Sequence, residues 1–336
     1  MVRVEALIPM LSISLAPWNY RRLIHQINPI ISKLSYRAIQ DHWANQGLDG
    51  CARRMTLFEA YAYLNEHLKP HGMSKSIFYG DADGTGTARY KNQAGYKAIS
   101  EALERWCFYE IMNSSRAKQF GFHIEPSTLG LAAFPGIGHR LARSMALQEA
   151  IERWSVCAWW EGLLPARRFG WKNTEINAVR VLHPWCGISG MSKEVVLLWA
   201  AAGQEKNDFT VYGFACASSI EEAITHAQDE MRRNRDALMK AWNAQNVHPR
   251  DVGERRLLFF STQKGHELFI ARLQKSEKIL ETQPKILSKL LPKLLPKLLI
   301  DQEIRGPWSQ YAKVWRLLFE MPTDRHLLPT DDYFLF

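Results

Sequence analysis

One spacing, Ala-x3-Ala-x2-Glu, occurs three times and limits what the chain can fold into: Ala94, Ala98, Glu101; then Ala142, Ala146, Glu149; then Ala223, Ala227, Glu230. Residues i, i+4 and i+7 share one helical face, so each copy predicts a helix that presents two small side chains and then a carboxylate. Alanine at those places lets the helix approach a neighbour closely, and the glutamate is carried inward with it. Each copy follows a glycine-bearing segment: Gly84 and Gly86, Gly136 and Gly138, and Gly213. The copies begin 48 residues (94 to 142) and 81 residues (142 to 223) apart, which is not the fixed period of a solenoid. The expectation is an α+β fold whose core repeats a glycine-strand and helix unit.

The 336 residues are 46% apolar and 23% charged, which suits a folded chain and excludes collagen, coiled coil and wholesale disorder. Lys and Arg outnumber Asp and Glu by 43 to 34, so an anionic partner is admissible. Nucleic acid is not favoured, because Arg232-Arg233-Asn-Arg235 is too short a basic cluster and no aromatics interleave it. The five cysteines form no C-x-x-C pair, and no His cluster stands at ligand spacing. A reducing, cytoplasmic setting is expected. The apolar run from Ala6 to Trp18 is broken by Pro9, and Pro17 follows the small-residue site Ser14-Leu15-Ala16, which disfavours an export signal. No stretch is apolar for long enough to span a membrane.

Three segments are expected. Residues 1–72 read as mainly helical: Tyr20 to Leu34 is interrupted by Pro29, and Thr56-Leu57-Phe58-Glu59 has the form of a capping box opening a helix to about His67. Residues 73–250 hold the repeated units. Residues 251–336 read as a C-terminal extension, with a four-residue repeat from Pro284 to Ile300. Its prolines forbid a regular helix, so 284–300 reads as a basic low-complexity insertion, dispensable for the fold.

In the first two copies a second glutamate follows, giving Glu101-Ala-Leu-Glu104-Arg105 and Glu149-Ala-Ile-Glu152-Arg153. A single copy would read as surface ion pairing of Glu101 with Arg105, or Glu149 with Arg153. Two copies on the same alanine background point elsewhere. Four partly buried carboxylates repel one another and need cations, and hard oxygen donors suit Mg²⁺ shared with substrate phosphates. No P-loop, dinucleotide fingerprint or nucleophile elbow is present.

The doubled Glu-x-x-Glu-Arg helices, their Ala-x3-Ala lead-in and the glycine-rich segments before them resemble the YcaO family of ATP-dependent peptide-backbone-modifying enzymes. The resembling stretches are Gly84 to Trp106, Gly136 to Gly162 and Gly213 to Arg235. The resemblance implies a YcaO-like core that holds ATP and Mg²⁺, with Glu101, Glu104, Glu149 and Glu152 serving the metal and the phosphates and Arg235 a further nucleotide contact. It implies phosphorylation of a backbone amide oxygen on the way to an azoline, an amidine or a thioamide during maturation of a ribosomally made peptide. The expected partners are that peptide and a separate leader-recognition or sulfur-transfer protein. The chain departs from the family pattern at Thr85, where lysine is common, at Phe134-Pro135-Gly136 in place of Ser-Asn-Gly, and at Leu141 in place of a polar contact. The alternative is therefore a catalytically weakened YcaO-like scaffold protein in a peptide-modification complex.

Overall fold

The computed structural model describes residues 27–40, 43, 45–46, 52–53, 56–73, 81–135, 139–169, 171, 173, 175–186, 192–202, 209–243, 249, 251–282 and 294–336. It is an α+β fold of antiparallel sheets and helices. The strands are β1 (Ile31–Gln40), β2 (Asn45–Gln46), β3 (Ala52–Arg53), β4 (Thr56–Leu64), β5 (Gly84–Ala88), β6 (Leu131–Pro135), β7 (Ala166–Arg168), β8 (Asn177–Val181), β9 (Glu194–Ala202), β10 (Phe209–Ala217), β11 (Leu298–Glu303) and β12 (Ala312–Phe319). The helices are α1 (Lys91–Met112), α2 (His139–Trp160), α3 (Ile220–Asn243), α4 (Val252–Ser261) and α5 (Gln263–Thr282). Three sheets run in the orders β1-β4-β5, β11-β12-β6 and β10-β9-β8-β7, with β2 and β3 pairing separately.

The three sheets place β5, β6 and β10 at their edges, and the three striped helices lie between those edges. Helix α1 packs on β5 and β6, α2 on β6, β12 and β10, and α3 on β10 with a further contact to β5. Glycine permits the closeness. A side chain on Gly84 would overlap the Ala98 carbonyl and the Ala102 amide, and one on Gly213 would overlap the Ala227 carbonyl. The fully buried alanines of each helix complete the contact: Ala94 and Ala98, Ala142 and Ala146, Ala223 and Ala227. Gly136 and Gly138, expected to serve the second unit in the same way, lie outside the described residues.

After Glu194, strand β9 is apolar because both of its faces are covered. Val195, Leu197 and Trp199 join the core shared with α2, α4 and α5, while Val196, Leu198 and Ala200 join the core under α3. Trp159 and Trp160 are buried in the first of these cores, as their apolar company predicts, and Trp160 stacks on Phe334 at 5.6 Å.

Three expectations are corrected. Residues 56–64 form a strand: buried and half-buried residues alternate from Ala60 to Leu64, a period of two, and Tyr61 and Tyr63 suit a pleated surface. Glu59 caps no helix; it takes Arg37 across the β1–β4 ladder and the Tyr61 hydroxyl, so a chance capping spacing lost to cross-strand pairing. Residues 31–34, expected helical, open β1, while residues 20–26 lie outside the described residues. Residues 284–293 of the repeat lie outside the described residues, but its end is structural. Leu298 and Ile300 belong to β11 and pair with Phe319 and Leu318 of β12. Nor is 251–336 an appendage, since β12 lies between β11 and β6, and Tyr333 and Phe334 are buried in the core with Trp159.

Candidate functional site

The three helices enclose a cleft of about 1600 Å³. Each lines it with a second i, i+4, i+7 stripe, which shares only its glutamate with the alanine stripe: Lys97, Glu101 and Glu104 from α1; Met145, Glu149 and Glu152 from α2; His226, Glu230 and Arg233 from α3. The middle position is glutamate in all three.

Those three glutamates are oriented by main-chain amides at or beside the sheet edges. Glu101 Oε2 accepts from Thr85 N and Thr85 Oγ1, both at 2.9 Å. Glu230 Oε2 accepts from Phe214 N at 2.8 Å, and Glu149 accepts from the amide of Gly130, next to β6. An edge strand has unpaired N–H groups on its outer side, and the carboxylates satisfy them. Glu152 reaches across to β10, accepting from Cys216 N at 2.9 Å, with Arg153 Nε 3.6 Å from its other oxygen. Glu104 accepts no hydrogen bond from the described residues.

The surface ion pairing that one copy alone suggests is not what the glutamates do. Arg105 turns to the carbonyl of Asp83 at 3.2 Å, and Glu101 turns to β5. Arg153 donates to the main-chain oxygen of Phe336 at 2.9 Å and lies 5.0 Å over the Phe214 ring. Beneath the cleft, the fully buried Arg316 donates to the carbonyls of Ser127, Leu129 and Glu125 and sits 4.4 Å over the Phe122 ring.

Burial makes charge expensive here. It pushes the Glu149 carboxyl up to about 7 against the pull of Arg153 and Arg316, and the Glu152 carboxyl up to about 8. Glu104 is held well above the carboxylate range by burial, then by the charges of Glu149 and Glu101. Glu230 is raised by burial too. Burial lowers Arg316 to about 10. Burial thus favours the protonated form of Glu104, Glu149, Glu152 and Glu230, and a bound cation would favour the carboxylate form instead.

Among the described residues, no three His, Cys, Asp or Glu side chains stand together as a preassembled metal cage. Glu101, Glu104, Glu149 and Glu152 share one cleft without closing on one point. Mg²⁺ needs no cage, because it is held by one or two carboxylates together with the phosphates it accompanies. The donor set is hard oxygen throughout, and the buried Ser100 Oγ and Gln148 Nε2 line the cleft without a hydrogen-bond partner among the described residues. The residues present fit a ligand that brings both cations and hydrogen-bonding groups.

Arg235 is not part of the cleft. Five residues beyond Glu230, it points some 140° around the helix, and it pairs with Asp236 at 3.2 Å. Arg232 and Arg233 line the cleft in its place. Glu230 is the residue that reasoning from paired glutamates passes over. Its signal was the third Ala-x3-Ala-x2-Glu, masked because Arg233 stands where the other copies have a second glutamate. Thr85, a departure from the family pattern, holds Glu101 through both its amide and its hydroxyl.

Among the described residues, no helix is long and apolar enough to cross a membrane. No family model matches the sequence, and no curated protein matches it. Among solved structures, the chain is similar to YcaO from Methanopyrus kandleri, bound with AMPPCP and Mg²⁺, at 12% identity and a TM-score of 0.49, over 89% of this chain and 87% of that one.

Proposed function

We propose that the cleft binds ATP with Mg²⁺ and uses it to activate a peptide-backbone amide. The observation that carries this reading is the meeting of three glutamate-bearing helix faces in one cleft, where burial raises the carboxyls of Glu104, Glu149, Glu152 and Glu230. Glu101, Glu104, Glu149, Glu152 and Glu230 would hold Mg²⁺, which when bound supplies charge neutralisation to the phosphates. The sequence resemblance to the YcaO family points the same way.

The size of the cleft supports a second substrate beside the nucleotide. About 1600 Å³ exceeds the 300–1,000 Å³ of a pocket built for one small ligand. Beside its charged residues the lining carries apolar and aromatic side chains: Tyr96 and Phe134, whose ring centroids are 5.2 Å apart, and Met145, Phe169 and Trp171. These surfaces suit a nucleobase and an extended peptide. In the reaction, a nucleophile adds to the amide carbon and the amide oxygen takes the terminal phosphoryl group of ATP, leaving ADP. Phosphate then departs with that oxygen, and the carbon keeps its new bond. The chain's own part is to orient and to offset charge: the edge amides fix the carboxylates, and Arg153 and Arg316 balance them from below.

The test is incubation of the full chain with ATP, Mg²⁺ and the short peptides encoded beside its gene, read by mass spectrometry and phosphate release. ATP-dependent loss of one water from a peptide, or exchange of oxygen for sulfur when a sulfur donor is supplied, is expected. Binding of ATP with no peptide change and no phosphate released, with every neighbouring protein supplied, would show a scaffold instead.

A further inference from the structure

The three stripes agree at the middle position and differ at the first, where α1 carries Lys97, α2 Met145 and α3 His226. Four residues before Glu101, Lys97 stands about 6 Å further along the helix axis, on the same face. It is therefore a fixed positive charge one turn from the carboxylates. Its placement is built. The stem lies against Gly86, where any side chain would press on the Lys97 Cβ, and Nζ donates to the Thr87 carbonyl at 2.9 Å.

The remaining partner comes from the opposite helix. Lys97 Nζ donates to Asp229 Oδ2 of α3 at 3.1 Å, and Arg232 Nη1 donates to Asp229 Oδ1 at 3.0 Å. One carboxylate thus sits between two cations of the cleft lining, in the position an anionic ligand group would take. The Lys97 side chain is 45% exposed, while that of Asp229 is 12% exposed. Lys97 lines the cleft with its side chain half exposed, so a ligand there could compete with Asp229 for it. Three residues from Lys97, on the same face, the buried Ser100 hydroxyl lines the cleft with no partner among the described residues, a further donor for the same group.

We propose that Lys97 recognises a phosphate group of the nucleotide one helical turn beyond the glutamates, and that Asp229 is the internal counter-ion which that phosphate displaces. The inference rests on the Mg²⁺–nucleotide reading of the cleft and adds a division of labour to it. The carboxylates take the metal, and Lys97 takes a phosphate directly. Asp229 then sets a threshold: neutral ligands cannot compete for Lys97, whereas a multiply charged phosphate can.

Calorimetric titration of the full chain with ATP at saturating Mg²⁺, and with Mn²⁺ alone followed by its paramagnetic resonance, tests this. Lys97→Met should weaken ATP about tenfold, the loss of one charge-assisted contact, and leave Mn²⁺ affinity unchanged or slightly tighter. Lys97→Arg should recover most of the ATP affinity. Asp229→Asn should tighten ATP several-fold by releasing the lysine. Lys97 is half exposed, so its variants should melt as the parent does, and they carry the test even where Asp229→Asn fails to fold. Unchanged ATP affinity in Lys97→Met, with the parent binding normally, overturns the role of Lys97 alone. Weaker ATP binding in a folded Asp229→Asn overturns the displacement. A parent chain that takes up neither ATP nor Mn²⁺ overturns the nucleotide reading itself.

Discussion

The β5–α1 and β10–α3 units are superposable in their bonding and opposite in part of their charge. In one, Gly84 lies against Ala98 and Glu101 takes the Thr85 amide; in the other, Gly213 lies against Ala227 and Glu230 takes the Phe214 amide. Donor and acceptor are 16 residues apart in both. Yet the position after the central glutamate is Glu104 in the first and Arg233 in the third, and the position before it is Lys97 or His226. The strand–helix contact demands glycine and alanine, whereas the cleft-facing ends of the stripe are free to vary. Scaffold and chemistry are thus written at different positions of one repeated unit.

The equivalence of the scaffolds is the easiest part to break. Gly84→Val and Gly213→Val each drive a side chain into a helix backbone that cannot retreat without opening a core. Each should cost about 3 kcal/mol or more, by the scale of severe overpacking. Urea unfolding should show similar losses for the two; a harmless Gly213→Val would mean that the third unit is not built as the first.

The middle glutamates come next. Glu101→Gln, Glu149→Gln and Glu230→Gln keep an oxygen for the edge amide but remove the charge. Each should weaken metal-dependent nucleotide binding by about 10- to 100-fold, the worth of a charged contact. Glu230→Gln matching Glu101→Gln would make the third unit a full member of the site, and an unaffected Glu230→Gln would confine the site to the first two.

A smaller effect separates the cleft carboxyls from a buried carboxylate elsewhere. Glu149 and Glu152 rise from 4.5 to about 7 and about 8 in the folded chain. The folded state then holds their protons more tightly, so without metal its stability should fall as pH rises from about 5 to 8. Glu152→Gln should flatten that slope, and Mg²⁺ with ATP should offset it. Glu125 behaves oppositely. Burial alone would raise it, but His326 Nε2 at 2.5 Å, the Ser127 hydroxyl and the charge of Arg316 hold it below 4.5. Its contribution is present above pH 4.5 and lost as pH falls through its lowered folded value, so Glu125→Gln should remove stability at neutral pH and progressively less in acid.

Smallest of all, Arg233→Glu makes the third stripe read as the first. Adding a carboxylate to an already crowded cleft should lower the metal-free melting temperature by a few degrees, and added Mg²⁺ should narrow the gap. A variant that melts higher without metal would contradict the account of cleft charge.

Much of this was legible in the sequence because the helix period and the small-residue requirement act locally. Ala-x3-Ala-x2-Glu states which face is buried and which residue rides at its end. The illegible parts depend on distant segments. Thr56 and Glu59 have the spacing of a helix cap, but Glu59 is claimed by Arg37 from β1. Leu298 and Ile300 look like the tail of a proline repeat until β12 supplies their ladder. The bridge from Lys97 to Asp229 joins residues 132 positions apart and has no local signature.

The most direct test of the central claim, that the three glutamate stripes bind nucleotide through metal, is titration of the full chain with ATP in the presence and absence of Mg²⁺. Heat of binding only with Mg²⁺, and an affinity lowered about 10- to 100-fold by Glu149→Gln in a variant that melts normally, is the predicted result. Equal binding of ATP without any divalent cation, or binding untouched by Glu149→Gln, would contradict it.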